Sequence, residues 1–344
     1  MSTNKSNSPQ LINIVILRSF AIIAVVLYHC FCPWLFAWNW TECQMRPFYS
    51  YFLECVLVGR MPLFICVSGY LFSYLLNERS KYQEFSNFLL NKTKRLLLPC
   101  VLFSFIMSIT FKSNPLYDLF YTPYHLWFLK MLFLCFLLTW ILGKYVKGKY
   151  QIIFLVLSLG FMILPNIKFF SLGQFFKYYF FFYEGFLFCK YRKKISPYID
   201  SKTALLVHLS VYTIMCLIVA YLYYMNQSLI NDDIIHINKP IAAIRILMRF
   251  YTVIVGFSIV DYIIINHQSY EGVLFKKLNN LSYGIYLLHI YFLNVLHDHF
   301  FYVFELANNA IGLVCPLVLF IIVFSISIFF TWLFKLTKFG RYIL

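Results

Sequence analysis

The sequence predicts an all-α polytopic membrane protein, with about ten transmembrane helices, both termini cytoplasmic and no appended soluble domain. Three observations predict it. Of 344 residues, 62% are hydrophobic and only 12% are charged, where a soluble domain carries roughly a quarter charged. The apolar residues lie in runs near the roughly 20 residues needed to cross a hydrocarbon core of about 30 Å. With the first span entering from inside, the cytoplasmic loops hold 19 of the 29 Lys and Arg, and the opposite loops hold only Arg46, Lys112, Lys168 and Lys239. That asymmetry is the positive-inside signature. It also accounts for the net charge of +16, which excludes a nucleic-acid partner and leaves membrane lipid as the surrounding phase.

Each segment can be justified in turn. The apolar runs cover about residues 11–34, 48–76, 96–112, 125–143, 150–165, 169–189, 203–225, 240–264, 279–297 and 310–334. Residues 1–10 form a short polar tail, and no small-residue cleavage site follows the first run, so that run is expected to be retained. The fifth run stops at Pro165 and is short, which makes the fifth and sixth a tight outer hairpin. Residues 335–344 form the cytoplasmic end, and one membrane domain is expected over 1–344. Most of the ten Cys sit inside apolar runs as small buried hydrophobes. Cys32 and Cys43 are able to pair if both face an oxidising compartment, a question the spacing leaves open.

The first run is where chemistry enters. It carries Arg18 and His29, eleven residues apart, which is three helical turns plus about 20° and roughly 16 Å along one face. Either residue alone is explained by snorkelling to the headgroups. Two on one stripe suggest a lined site, because ionisable groups in lipid cost several kcal/mol. Arg60, Lys130, Lys177, Arg245 and Arg249 also fall within spans, with His125 and His289 at similar depth and Glu54 and Glu184 as available partners. Arg245 and Arg249 share a face one turn apart. So many cations at one depth suit an anionic substrate.

The second run contains GRMPLFICVSGYLF at 59–72. Pro62 and Gly69 predict a kink or break, and irregular backbone at membrane depth lines cavities. Ser68 has no base marked beside it, so its hydroxyl is read first as satisfying a freed carbonyl or packing helices. Residues 92–99, KTKRLLLP, place a cationic cluster at the inner face. Glu184 is either an orienting partner for His or Arg or an ion-pair partner of Lys177 two turns away. Trp127 fits an aromatic belt. His297, Asp298 and His299 point in different directions and read as a solvated interface, so no metal is expected.

Five elements in order, Arg18 with His29, PLF…SGYLF, KR…LP at 94–99, HLWFL at 125–129 and LSYGIYLLH at 281–289, resemble the acyltransferase 3 family of integral membrane acyltransferases. The second run is most similar to the subgroup that O-acetylates surface polysaccharides or their lipid-linked precursors. The resemblance implies cytoplasmic acyl-CoA as donor, with acetyl favoured by family analogy, a glycan hydroxyl as acceptor, and no permanently bound cofactor. It implies that His29 is catalytic and Arg18 supports it. On the same ground Ser68, Tyr70, Lys94, Arg95, His125, Trp127, Tyr286 and His289 join Arg60, Arg245 and Arg249 as substrate-binding residues. A bacterial inner membrane is the expected location, and a homo-oligomer or a polysaccharide-assembly partner is left open. The expected mechanism has His29 as general base, since an ordinary imidazole titrates at about 6.5, with Arg60 or Arg249 facing the oxyanion, and direct transfer and an acyl-histidine intermediate are both open. The rival is a flippase or transporter of lipid-linked sugar, which a broken helix and midplane charges also fit. That rival offers no reason for the Arg18–His29 spacing.

Overall fold

A computed structural model of the chain describes residues 9–35, 49, 53, 55–121, 124–228, 234–266, 272–306 and 314–343. Glu54 and Cys43 lie outside them, and with Cys43 the open question of a Cys32–Cys43 pairing. The described residues form helices and short turns, with no strand among them. In chain order the helices are α1 (Pro9–Phe31), α2 (Arg60–Ser73), α3 (Phe85–Lys92), α4 (Leu98–Thr110), α5 (Pro115–Tyr121), α6 (Trp127–Tyr145), α7 (Lys149–Ser158) and α8 (Leu172–Lys190). They continue as α9 (Lys202–Ser228), α10 (Ile234–Asn266), α11 (Val273–Leu306), α12 (Cys315–Leu336) and α13 (Lys338–Ile343).

Among the described residues, six segments are long and apolar enough to cross a membrane: Ile12–Trp34, Phe85–Thr110, Tyr124–Tyr145, Lys202–Met225, Pro240–Asn266 and Cys315–Leu336. The remaining expected spans are helical but fall short of that measure for visible reasons. α2 has 14 residues, about 21 Å at 1.5 Å per residue. α7 with the turn after it covers only Lys149–Ile163. α8 is diluted by Gln174, Lys177 and Glu184, and α11 by Lys276, Lys277 and several Asn.

The chain divides into two compact units. The first comprises Met1–Phe64, Lys193–Ser282 and Leu293–Ser325. Here α9 packs along α10, and α10 also packs against α1. A Cβ on Gly256 of α10 would stand 3.2 Å from Leu63 and 3.5 Å from Leu17, so the absence of a side chain lets these elements close together. The Asn13 amide of α1 donates to the buried Asp261 carboxylate of α10, tying the helices by a polar contact that lipid strengthens. Phe31, Trp34, Tyr49, Leu53 and Leu57 form an apolar cluster, with Cys315 and Leu319 packed on it.

The second unit comprises Ile65–Arg192, Tyr283–Phe292 and Ile326–Leu344. Its centre is aromatic: Phe72 packs against Phe88, Phe136, Phe182 and Phe186 with ring centroids 5.0–6.3 Å apart. α2 and α8 meet through two glycines. A Cβ on Gly69 would overlap the Phe182 carbonyl, and one on Gly185 would overlap the Cys66 carbonyl. Small residues that let backbones touch are the usual device of membrane helix pairs. π-helical turns Tyr74–Glu78 and Thr93–Leu97 flank the loop and helix between α2 and α4.

The predicted irregularity in the second run is present, but in another place. Arg60 begins α2, so Pro62 sits in its first turn, where a missing N–H removes no bond. Gly69 lies in unbroken helix. The interruption is the turn at 57–59, just before Arg60. Gly69 answers to packing, not to flexibility.

Candidate functional site

In the first unit the site is assembled from α1, the 57–60 turn and α10. Arg18 and His29 occupy one continuous helix, both half-buried. The His29 ring meets Tyr28 edge-on at 5.5 Å. The Arg60 guanidinium carbon lies 3.2 Å from the Tyr28 ring centroid, a cation–π contact between two half-buried side chains. Arg60 Nη1 also donates to the Leu57 carbonyl at 2.8 Å, an oxygen that accepts the Arg60 backbone N–H at 3.2 Å as well. One side chain therefore caps the interruption and carries its charge to the residue next to His29.

α10 adds Arg245 and Arg249, both half-buried. With Thr252 they occupy positions i, i+4 and i+7, a single stripe. A Cβ on Gly59 would overlap the Thr252 side chain, so this stripe is the one turned to the 57–60 turn. Thr252 donates to the Met248 carbonyl at 2.6 Å. Arg60, Tyr28 and His29 are thus directly linked, Arg245 and Arg249 lie on the α10 stripe that carries Thr252 to the same turn, and Tyr28 is the piece that sequence reasoning missed. Its position beside His29 was the available signal.

The second unit holds the other expected residues. Ser68 is half-buried and Tyr70 buried on α2, with the Tyr70 ring 6.1 Å from Phe188 of α8. Glu184 lies on α8 beside Gly185, and its Oε2 atom is buried without a hydrogen-bond partner. The alternative Lys177 ion pair is not formed: Lys177 is exposed and lies 5.8 Å from the Tyr178 ring. Lys94 and Arg95 are exposed on the π-helical turn at Thr93–Leu97. The turn is anchored by Tyr283, whose hydroxyl donates to the Arg95 carbonyl at 2.6 Å. π turns recur at functional sites because they aim side chains off the regular helical spacing.

His125, Tyr286 and His289 come together although 161 residues separate the first two. Ring centroids of His125 are 5.0 Å from Tyr286 and 4.9 Å from His289. The Tyr286 hydroxyl donates to the His125 backbone carbonyl. That hydrogen bond ties α11 to the turn that opens α6. Trp127 stacks on Tyr178 at 5.7 Å.

Lys130 leaves the expected group of in-span cations, and Lys92 of the expected inner-face cluster is likewise engaged inside the fold. Lys130 is buried and donates to the Leu119 carbonyl, with the Phe170 ring 5.4 Å away. Lys92 is enclosed by Phe136 at 3.4 Å, Tyr82 at 5.0 Å and Phe72 at 5.2 Å. Both have intramolecular partners that the bare sequence does not display. His297 Nδ1 lies 3.4 Å from the exposed Asp298 carboxylate, consistent with a solvated pair. Among the described residues no three His, Cys or carboxylate side chains gather around one point.

An all-helical, multi-pass integral membrane protein with histidine and arginine set into its helices is the class this architecture defines. Residues 11–336 match the family model of the acyltransferase domain of acyltransferase 3 proteins. The chain belongs to that family and is a membrane acyltransferase by membership. No curated protein and no solved structure matches it.

Proposed function

We propose that the chain moves an acyl group, acetyl by family analogy, from cytoplasmic acyl-CoA to a hydroxyl of a surface polysaccharide or lipid-linked glycan. It does so as a ten-span protein of the bacterial inner membrane with both termini cytoplasmic. The observation that carries this reading is the group of His29, Tyr28 and Arg60: a half-buried imidazole with a guanidinium held on the neighbouring ring. His29 takes the proton of the acceptor hydroxyl, and the oxygen attacks the thioester carbonyl carbon. A tetrahedral oxyanion forms, and the Arg60 or Arg249 cation stabilises it. When the C–S bond breaks, the proton on His29 passes to the departing CoA thiolate. Arg18, at the other end of the stripe, and the exposed Lys94 and Arg95 are suited to CoA phosphates.

The test is purification of wild type and His29→Ala, followed by acetyl-CoA binding and release of free CoA. Wild type should release CoA; His29→Ala should bind acetyl-CoA with similar affinity and turn over about 10²–10⁴-fold more slowly, the usual contribution of a general base. If neither protein binds acetyl-CoA, the reading fails and transport of a lipid-linked sugar replaces it.

A further inference from the structure

His125 is 4% exposed and neither of its ring nitrogens has a hydrogen-bond partner. The backbone of Tyr286 and Leu287 is near enough to act on the ring electrostatically, but neither nitrogen meets a partner at hydrogen-bonding distance and angle. A buried imidazole with both nitrogens unmet is costly, and native structures keep such groups where something outside the fold completes them. Its surroundings are firmly built. Tyr286, 2% exposed, holds the His125 carbonyl. His289, fully buried, has Nδ1 3.1 Å from the Ile285 carbonyl of its own helix. A carbonyl is an acceptor only, so Nδ1 carries the proton and the His289 ring is fixed in one tautomer. Against that fixed ring His125 packs edge to face at 4.9 Å.

Position along the helix indicates what completes it. His125 stands in the turn Tyr124–Leu126 that opens α6, and Lys144 lies in the last turn of that helix. Nineteen residues at 1.5 Å each separate them by about 28 Å, nearly the hydrocarbon thickness. If the lysine end is cytoplasmic, His125 is at the outer end, away from where the charged part of CoA is held. The group reaching it must be uncharged and able both to accept from and to donate to a neutral imidazole. A hydroxyl does both, and a glycan carries many.

We propose that His125 binds a hydroxyl of the glycan acceptor, with His289 and Tyr286 as positioning residues. The assignment rests on the acyltransferase reading and its topology. The test uses the purified full chain in lipid nanodiscs, with maltotriose and chitotriose as probes. It measures sugar binding without acyl-CoA, the KM for acetyl-CoA, and thermal melting of every variant. His125→Phe, which keeps the ring and removes both nitrogens, should weaken sugar binding about tenfold, the worth of one neutral hydrogen bond. The KM for acetyl-CoA should stay within about twofold of wild type. His125→Asn should recover part of the sugar affinity, and it carries the test if the Phe variant does not fold. Tyr286→Phe should weaken sugar binding less than His125→Phe does. Unchanged sugar affinity in a folded His125→Phe, an equal rise in the acetyl-CoA KM, or no binding of either sugar by wild type overturns the proposal. A wild type that binds sugar through His125 but never releases CoA leaves this site standing and removes the acyltransferase reading instead.

Discussion

The Arg60 guanidinium serves two neighbours at once: the Leu57 carbonyl in the turn that interrupts the helix and the face of the Tyr28 ring. A lysine would keep the charge but lose the planar group that stacks and donates along fixed directions. Arg60→Lys should therefore lower turnover well below wild type although the net charge is unchanged. The ring beneath it gives a sharper comparison. Tyr28→Phe preserves the π face and should keep CoA release within about threefold of wild type. Tyr28→Leu removes it, and a half-buried cation–π contact of about 1–2 kcal/mol corresponds to a loss of roughly five- to thirtyfold. If Tyr28→Leu turns over like wild type, the Arg60 guanidinium is not held by this ring during the reaction. Arg18, His29, Arg60, Arg245 and Arg249 were all visible in the sequence, because a charge inside an apolar run stands out against its background. Tyr28 was not, because tyrosine is ordinary in such a run and only the arriving guanidinium gives it a role.

The pairing of α2 with α8 makes a second kind of prediction. Gly69 and Gly185 each face a carbonyl on the opposite helix with no room for a methyl group. Gly69→Ala must push the two helices apart, and overpacking of this kind costs about 1–3 kcal/mol. Its melting temperature in detergent should fall clearly. Gly143 is the control, since a Cβ there meets side chains only at an ordinary 3.7 Å. Gly143→Ala should be neutral or slightly stabilising, given the better helix propensity of Ala. Equal melting of the two variants would mean that the α2–α8 contact contributes little. The same contact explains why the kink expected from Pro62 and Gly69 was misplaced. Proline and glycine are the same local signals whether they break a helix or begin one and let it be packed. Which applies depends on Cys66 and Phe182 backbone more than one hundred positions from their partners in the chain.

Across the chain as a whole, the proposed ten-span arrangement places the loop containing Lys81 and the loop containing Lys147 inside, and the loop containing Asn114 outside. All three positions are exposed. In a cysteine-free background, a membrane-impermeant maleimide added to intact cells should label Asn114→Cys and spare Lys81→Cys and Lys147→Cys until the cells are permeabilised. Labelling of Lys81→Cys from outside would invert the topology, and with it the assignment of the donor to the basic end of α6.

The class of the protein was legible without coordinates, because hydrophobicity, charge asymmetry and helix length act locally and add up along the chain. Apolar runs must be helical in lipid, where every backbone group has to be satisfied within its own segment. The Arg18–His29 stripe follows from helical periodicity alone. Tertiary structure decided which polar residues belong together. Lys130 and Lys177 look alike in the sequence, yet one is spent on the Leu119 carbonyl and the other is exposed. Tyr286 and His125 look alike as motif residues, yet the phenol is consumed by the fold and the imidazole is left unmet. Those outcomes depend on partners far away in the chain, and no local pattern encodes the distance of closest approach between two helices.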